Sequence, residues 1–155
     1  AEMGWKIIGN PEEAKHHPKS VVDGQFSMPF CAAVVLREGG MVWDDYAKHI
    51  NDANTLELCK KVNVSIDQRV EDLAPDLMSG TVRIKTKARE YETLIKVALG
   101  EPENFMSEKQ FLGKFDGLCA PYLGQEKSGK LANALMHIEE ANSLRSVMEL
   151  SQPNA

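Results

Sequence analysis

Residues 25 to 36, Gln-Phe-Ser-Met-Pro-Phe-Cys-Ala-Ala-Val-Val-Leu, constrain this chain more than any other stretch, because they form its longest run almost free of charge. Arg37, Glu38 and the pair Gly39-Gly40 close the run, the pattern of an apolar helix stopped by glycine. A helix apolar on most sides needs neighbours on most sides, so this one is expected at the centre of the fold, covered by the amphipathic segments that follow. Ser27, just before Pro29 in the first turn, and Asp23 are the two candidates for its amino-terminal cap.

A chain of 155 residues is about the size of one domain and long enough to build a single core, so residues 1 to 155 are expected to form one domain. Its 23 acidic and 18 basic residues include no basic block interleaved with aromatics, which argues against nucleic acid or an anionic membrane as partner. Cys31, Cys59 and Cys119 are an odd set, far apart and without a Cys-x-x-Cys pair, so reduced core thiols are expected rather than disulfides or a metal site. No run reaches membrane-spanning length and no signal peptide opens the chain, which gives a cytoplasmic expectation. The Asn63-Val64-Ser65 glycosylation pattern is then coincidental. An opening at Ala1-Glu2, with no capped helix or clear strand, is compatible with a start inside a longer parent.

Residues 1 to 24 show little apolar periodicity and are broken at Asn10-Pro11 and His17-Pro18, so an irregular lead-in is expected, with His16 and His17 as solvated loop residues. Adjacent side chains diverge, and no third ligand stands nearby at useful spacing. Helices are expected near 27–38, near 43–51 on Trp43, Tyr46 and Ile50, and near 54–61, where Asn54 and Glu57 have capping-pair spacing. Strands are expected near 62–66, from the alternation of Val62, Val64 and Ile66, and near 80–86 and 90–98 as a hairpin; residues 67 to 80 read as a loop. The turn between the last two strands lacks Gly, Asn and Asp and should be longer than two residues. Arg83, Lys85, Lys87, Arg89 and Lys96 make the hairpin basic, the pattern of a protected open sheet face and edge. Ser107-x-x-Gln110 opens a helix near 107–120 that Pro121 and Gly124 should end, followed by helices near 125–139 and 143–150. The fold class is therefore α+β, with a small antiparallel or mixed sheet packed by helices.

Two strings go beyond periodicity. Pro18-Lys19-Ser20-Val21-Val22-Asp23-Gly24-Gln25-Phe26-Ser27-Met28-Pro29-Phe30, continuing into Ala32 to Leu36 and a glycine, resembles a stretch of the carboxyl-terminal domain of the MmgE/PrpD family. Gly100-Glu101-Pro102-Glu103-Asn104, then Ser107, Lys114-Phe115 and Ala120-Pro121-Tyr122-Leu123-Gly124, resembles a second signature of that family. The hairpin turn departs from it, with Thr86-Lys87-Ala88-Arg89 where members often have Asp-Gly.

The resemblance implies a two-domain parent with a large helical domain and a smaller α+β domain, of which this chain is the latter part with the terminal helices. It implies a lyase or isomerase acting on small di- or tricarboxylates without a metal or organic cofactor, as 2-methylcitrate dehydratase, cis-aconitate decarboxylase and iminodisuccinate epimerase do. The reaction is proton abstraction beside a carboxylate, then loss of water or carbon dioxide, or reprotonation. Cationic groups are needed to hold the carboxylates and the developing charge. The family's catalytic lysine and histidines are expected upstream, so the chain by itself is expected to be inactive and to self-associate, with the parent a homodimer or other homo-oligomer. His16, His17 and Lys19 are the candidates here for contact with substrate. The alternative reading is a non-catalytic α+β protein-interaction module.

Overall fold

The computed structural model describes residues 1–153. Two compact units partition the chain, residues 1–105 and 106–155. The first opens with helix α1 (Glu2–Gly4), a π-helical turn (Trp5–Gly9), α2 (Glu12–His16), α3 (Val21–Gln25) and the apolar helix α4 (Met28–Glu38). There follow α5 (Asp44–His49), α6 (Ala53–Cys59), α7 (Gln68–Glu71), strands β1 (Gly80–Lys85) and β2 (Glu90–Ile95), and a 3-10 turn (Pro102–Asn104). The second unit holds α8 (Glu108–Leu123), α9 (Gln125–Met136), a 3-10 turn (Ile138–Glu140) and α10 (Leu144–Leu150). The architecture is α+β, mostly helical with one two-stranded antiparallel sheet.

The cap of α4 is Ser27, whose Oγ accepts from the Phe30 amide at 3.1 Å; Gly39, at φ 77°, ends the helix in the left-handed conformation that glycine tolerates. Phe30, Ala33 and Val34 on one side of α4 are fully buried with Cys59 of α6, and Met41, Tyr46 and Leu58 pack around them. The Phe30 and Tyr46 rings lie 6.1 Å apart and nearly parallel. The opposite side differs from expectation. Met28, Val35 and Leu36 are exposed, so the helix is covered on one face only.

Residues 1 to 24 are helical rather than irregular. The prolines that interrupt the periodicity stand between helices: Pro11 is the N-cap of α2, and the amide it lacks would have had no intrahelical partner there. Ser20 caps α3 by accepting from the Asp23 amide. His16 is accordingly a buried helical residue, not a solvated loop one, whereas His17 is exposed.

No strand forms at 62–66. This segment has no regular secondary structure, and two of its carbonyls meet side chains: Val62 O lies 3.1 Å from His16 Nε2, and Val64 O accepts from Trp5 Nε1 at 3.1 Å. Alternation marks a half-buried extended segment and does not distinguish a strand partner from side-chain donors. The stretch 67–80, expected as a loop, contains α7, capped by Asp67. The cap of α6 is Asp52, accepting from the Thr55 amide at 2.8 Å, rather than Asn54, which is already inside the helix.

β1 and β2 pair with Val82 opposite Thr93 and Ile84 opposite Tyr91. Their connection is longer than a two-residue turn, as expected: Thr86 N donates to Arg89 O at 2.9 Å, and Thr86 Oγ1 accepts from the Arg89 amide at 3.1 Å. Arg83 is paired with Glu92 and Glu90, and Arg69 of α7 also reaches Glu92, at 2.7 Å. These ion pairs pull the Asp67 and Glu92 carboxyls below their usual range, with hydrogen bonds from Arg69 the largest cause in both.

In the second unit Ser107 and Gln110 form a reciprocal capping box at the start of α8. Pro121 lies inside α8 rather than ending it; its missing amide forfeits one bond near the helix end, and Gly124, at φ 77°, stops the helix. α9 ends at Met136, and residues 138–140 form a separate 3-10 turn instead of its last turn. Leu123, Leu131 and Val147 are the buried centre, flanked by Phe115, Cys119, Ala134 and Leu150. Among the described residues no helix is long and apolar enough to cross a membrane, and all three cysteines are free.

Candidate functional site

The three residues singled out from sequence lie at the end of α2 and in the loop that follows it. His16, at the end of α2, is 9% exposed. Its Nε2 faces the Val62 carbonyl, so that nitrogen carries a hydrogen and the ring tethers α2 to the segment that follows α6. His17 and Lys19 are exposed on either side of buried Pro18. Neither side chain has an ion-pair partner among the described residues. The Lys19 amide donates to Asp23 Oδ2 at 3.1 Å; the Asp23 carboxyl is lowered first by its hydrogen bond with Ser20 and then by this one. Ser27 holds the other end: its hydroxyl donates to the Lys15 carbonyl while accepting from Phe30. One fully buried serine thus fixes the end of α2 against the start of α4, and with it the loop bearing the exposed His17 and Lys19.

A second polar cluster was not anticipated from sequence. His49 and Thr55 are essentially fully buried, with Nδ1 of His49 2.8 Å from Thr55 Oγ1. Thr55 Oγ1 donates to Asp52 Oδ1 at 2.9 Å, and Arg37 reaches both Asp52 and Thr55. On the other side of the ring, Nε2 is 3.1 Å from Glu38 Oε1, near enough for an ion pair but off the line of a hydrogen bond. Lys48 also pairs with Glu38, at 2.9 Å. The Thr55 amide, then Arg37, then the Thr55 hydroxyl bring the Asp52 carboxyl down to about 2, and Lys48 is the main cause that lowers Glu38. The cluster joins the end of α4 to α5 and α6. Its hydroxyl is sealed from solvent, so it serves as a buried brace rather than a nucleophile. The signal for it was present: His49 stands three residues after Tyr46 on the same helical face, and Asp52-x-x-Thr55 has capping spacing.

In the second unit a groove is lined by Leu123, Gly124, Gln125, Glu126, Lys127, Lys130 and Leu150. Lys130 is paired with Glu126 at 2.5 Å, and Lys127 donates to the Gln152 carbonyl, which leaves little free positive charge there. Among the described residues no cluster of His, Cys, Asp or Glu could hold a metal ion.

The model of the MmgE/PrpD C-terminal domain matches residues 1–139. The chain belongs to the MmgE/PrpD family. No curated protein and no solved structure matches it. The MmgE/PrpD family comprises carboxylate lyases and dehydratases, and membership through the C-terminal domain implies a parent protein. The two strings that suggested the family have physical roles in the fold. The first supplies the caps Ser20 and Ser27 and the buried Phe30. In the second, Gly100 at φ 105° donates its amide to Asn104 O at 2.9 Å, and Asn104 Nδ2 donates to Val97 O at 3.0 Å, closing the loop that leads to the Ser107 cap.

Proposed function

We propose that this chain is the carboxyl-terminal portion of a cofactor-free MmgE/PrpD lyase or isomerase acting on a small di- or tricarboxylate, and that it is inactive apart from a helical domain of the same parent. The observation that carries the reading is the family match over residues 1–139. Within it, His17 and Lys19 are the residues that hold a substrate carboxylate. Both are exposed, both can donate to an anion, and the buried His16 and Ser27 position their loop. Abstraction of a proton beside a carboxylate leaves charge spreading onto that carboxylate, so a cation placed there favours the transition state more than the ground state. The base itself belongs to the upstream part of the parent, which assembles as a homo-oligomer.

The test is a comparison of the full parent with residues 1–155 and with Lys19→Ala and His17→Ala in the parent. Dehydration of 2-methylcitrate, decarboxylation of cis-aconitate and epimerisation of iminodisuccinate are the assays. Turnover is expected in the parent and absent from the isolated chain. Loss of a hydrogen bond to a charged group is worth about 1.5–3 kcal/mol, so Lys19→Ala should lower kcat/KM by roughly 10- to 100-fold. Turnover by residues 1–155 acting by themselves, or full activity in both variants, would overturn the assignment.

A further inference from the structure

His49 sits where a ring with a single proton fits badly. It is 1% exposed, and both ring nitrogens face oxygen: Nδ1 lies 2.8 Å from Thr55 Oγ1, and Nε2 lies 3.1 Å from Glu38 Oε1. Among the described residues Nε2 has no aligned hydrogen-bond partner. A neutral imidazole offers one N–H and one lone pair. With its hydrogen on Nδ1, the bare Nε2 faces a carboxylate oxygen, one buried acceptor against another. With its hydrogen on Nε2, the Thr55 hydroxyl has to turn to Nδ1 and desert Asp52, to which it donates at 2.9 Å. The imidazolium avoids both losses. It puts hydrogen on the nitrogen beside Glu38, and Thr55 Oγ1 accepts from Nδ1 and from Arg37 while still donating to Asp52.

The charges around the ring come from three elements. Arg37 and Glu38 belong to α4 and Lys48 to α5, while Asp52 caps α6. Each of the other two cations already has a carboxylate: Arg37 pairs with Asp52 and Lys48 with Glu38. Lys48 is also 58% exposed, so water screens its repulsion of a charged ring.

We propose that His49 is a proton-operated latch joining α4, α5 and α6. Protonated, it holds Glu38 at the end of α4 and Thr55 at the start of α6, with the Thr55–Asp52 bond intact. Neutral, it gives up either the Glu38 contact or that bond. The joint it closes carries the buried cluster of Phe30, Ala33, Val34 and Cys59, so losing the proton loosens the packing of the first unit. Histidine is the side chain whose charge changes in the physiological range, which sets this latch apart from the carboxyls around it. The inference does not depend on the substrate reading.

Urea unfolding of residues 1–155 from about pH 5.5 to about pH 8.5, wild type against His49→Gln, tests the proposal. The protonated ring makes the additional contacts, so its contribution is present at the acid end and lost as pH rises. The gap between the two midpoints should therefore be widest at the acid end and shrink toward the basic end. His16, His17 and His137 are present in both chains, and their titration cancels in the gap. Repeating the pair with Glu38→Gln in both chains should cut the pH dependence of the gap by at least half. Nitrogen-15 spectra of the folded wild type need no variant: the His49 ring should carry two hydrogens at the acid end and one at the basic end. A gap that stays flat or widens with pH would overturn the proposal. So would a pH dependence untouched by Glu38→Gln, or a ring that keeps the same number of hydrogens throughout.

Discussion

Replacing Phe30 by alanine tests the core of the first unit most directly. The ring is fully buried, stacks on Tyr46 and lies under Gly24, where even a methyl carbon would stand 3.2 Å from Phe30 Cε1. Burying a phenylalanine contributes about 1.5–3 kcal/mol by transfer, and truncation adds the cost of whatever cavity persists, for a usual total of about 3–5 kcal/mol. Collapse here is hindered. Gly24 has no side chain to move into the space, and Ala33 and Val34 are short and fixed on the same helix. A loss of about 4 kcal/mol is therefore expected, a large part of the ~5–15 kcal/mol of a typical domain. In urea, with a slope of about 2 kcal/mol/M, the midpoint should fall by about 2 M at unchanged slope. Trp43 is a suitable reporter, since its ring packs edge-on against Tyr46 at 5.8 Å. Phe30→Leu keeps most of the volume and should lose only about 1–1.5 kcal/mol. A midpoint shift below about 0.5 M for Phe30→Ala would refute the view that α4 packs the unit through this ring.

Gly9→Ala should destabilise the first unit by about 1–3 kcal/mol, because the new Cβ would lie 2.8 Å from both Cβ and Cγ1 of Val64. Val64→Gly removes both of those atoms, so the double variant should be more stable than the sum of the single losses; strict additivity in urea melts would count against it. The Asp52 carboxyl, held at about 2 when folded, returns to about 3.9 in the unfolded chain. A depressed carboxyl contributes stability that is fully present above its unfolded value and is lost as pH falls through the folded one. Thermal melts should therefore show the gap between wild type and Asp52→Asn shrinking from about pH 4 down to about pH 2, and a gap constant across that window would show that Asp52 is not so linked.

How much of this could be read from sequence followed from how local each signal is. The Ser107 box, the Ser27 cap, the Gly39 stop and the β1–β2 pair depend on residues a few positions apart, and the structure has them where the spacing put them. Residues 62–66 failed for the opposite reason: their partners, Trp5 and His16, lie more than forty positions away, and alternation does not say what an extended backbone bonds to. The prolines near the start were misread because their effect depends on position, disruptive within a helix and harmless at its cap. Of the candidate site, the loop residues were singled out by their place beside the first string, and the brace around His49 was missed, since a buried imidazole and a solvated one look alike until their neighbours are known.

The sequence by itself determined the family, the α+β class and the apolar character of α4, because motif identity and periodicity are properties of the chain. Only the tertiary structure decided which side of α4 is covered, which of two adjacent histidines is buried, and where the carbonyls of Val62 and Val64 find their donors. Each of those depends on contacts between segments distant in sequence, and the hydrophobic effect that drives burial has no direction of its own.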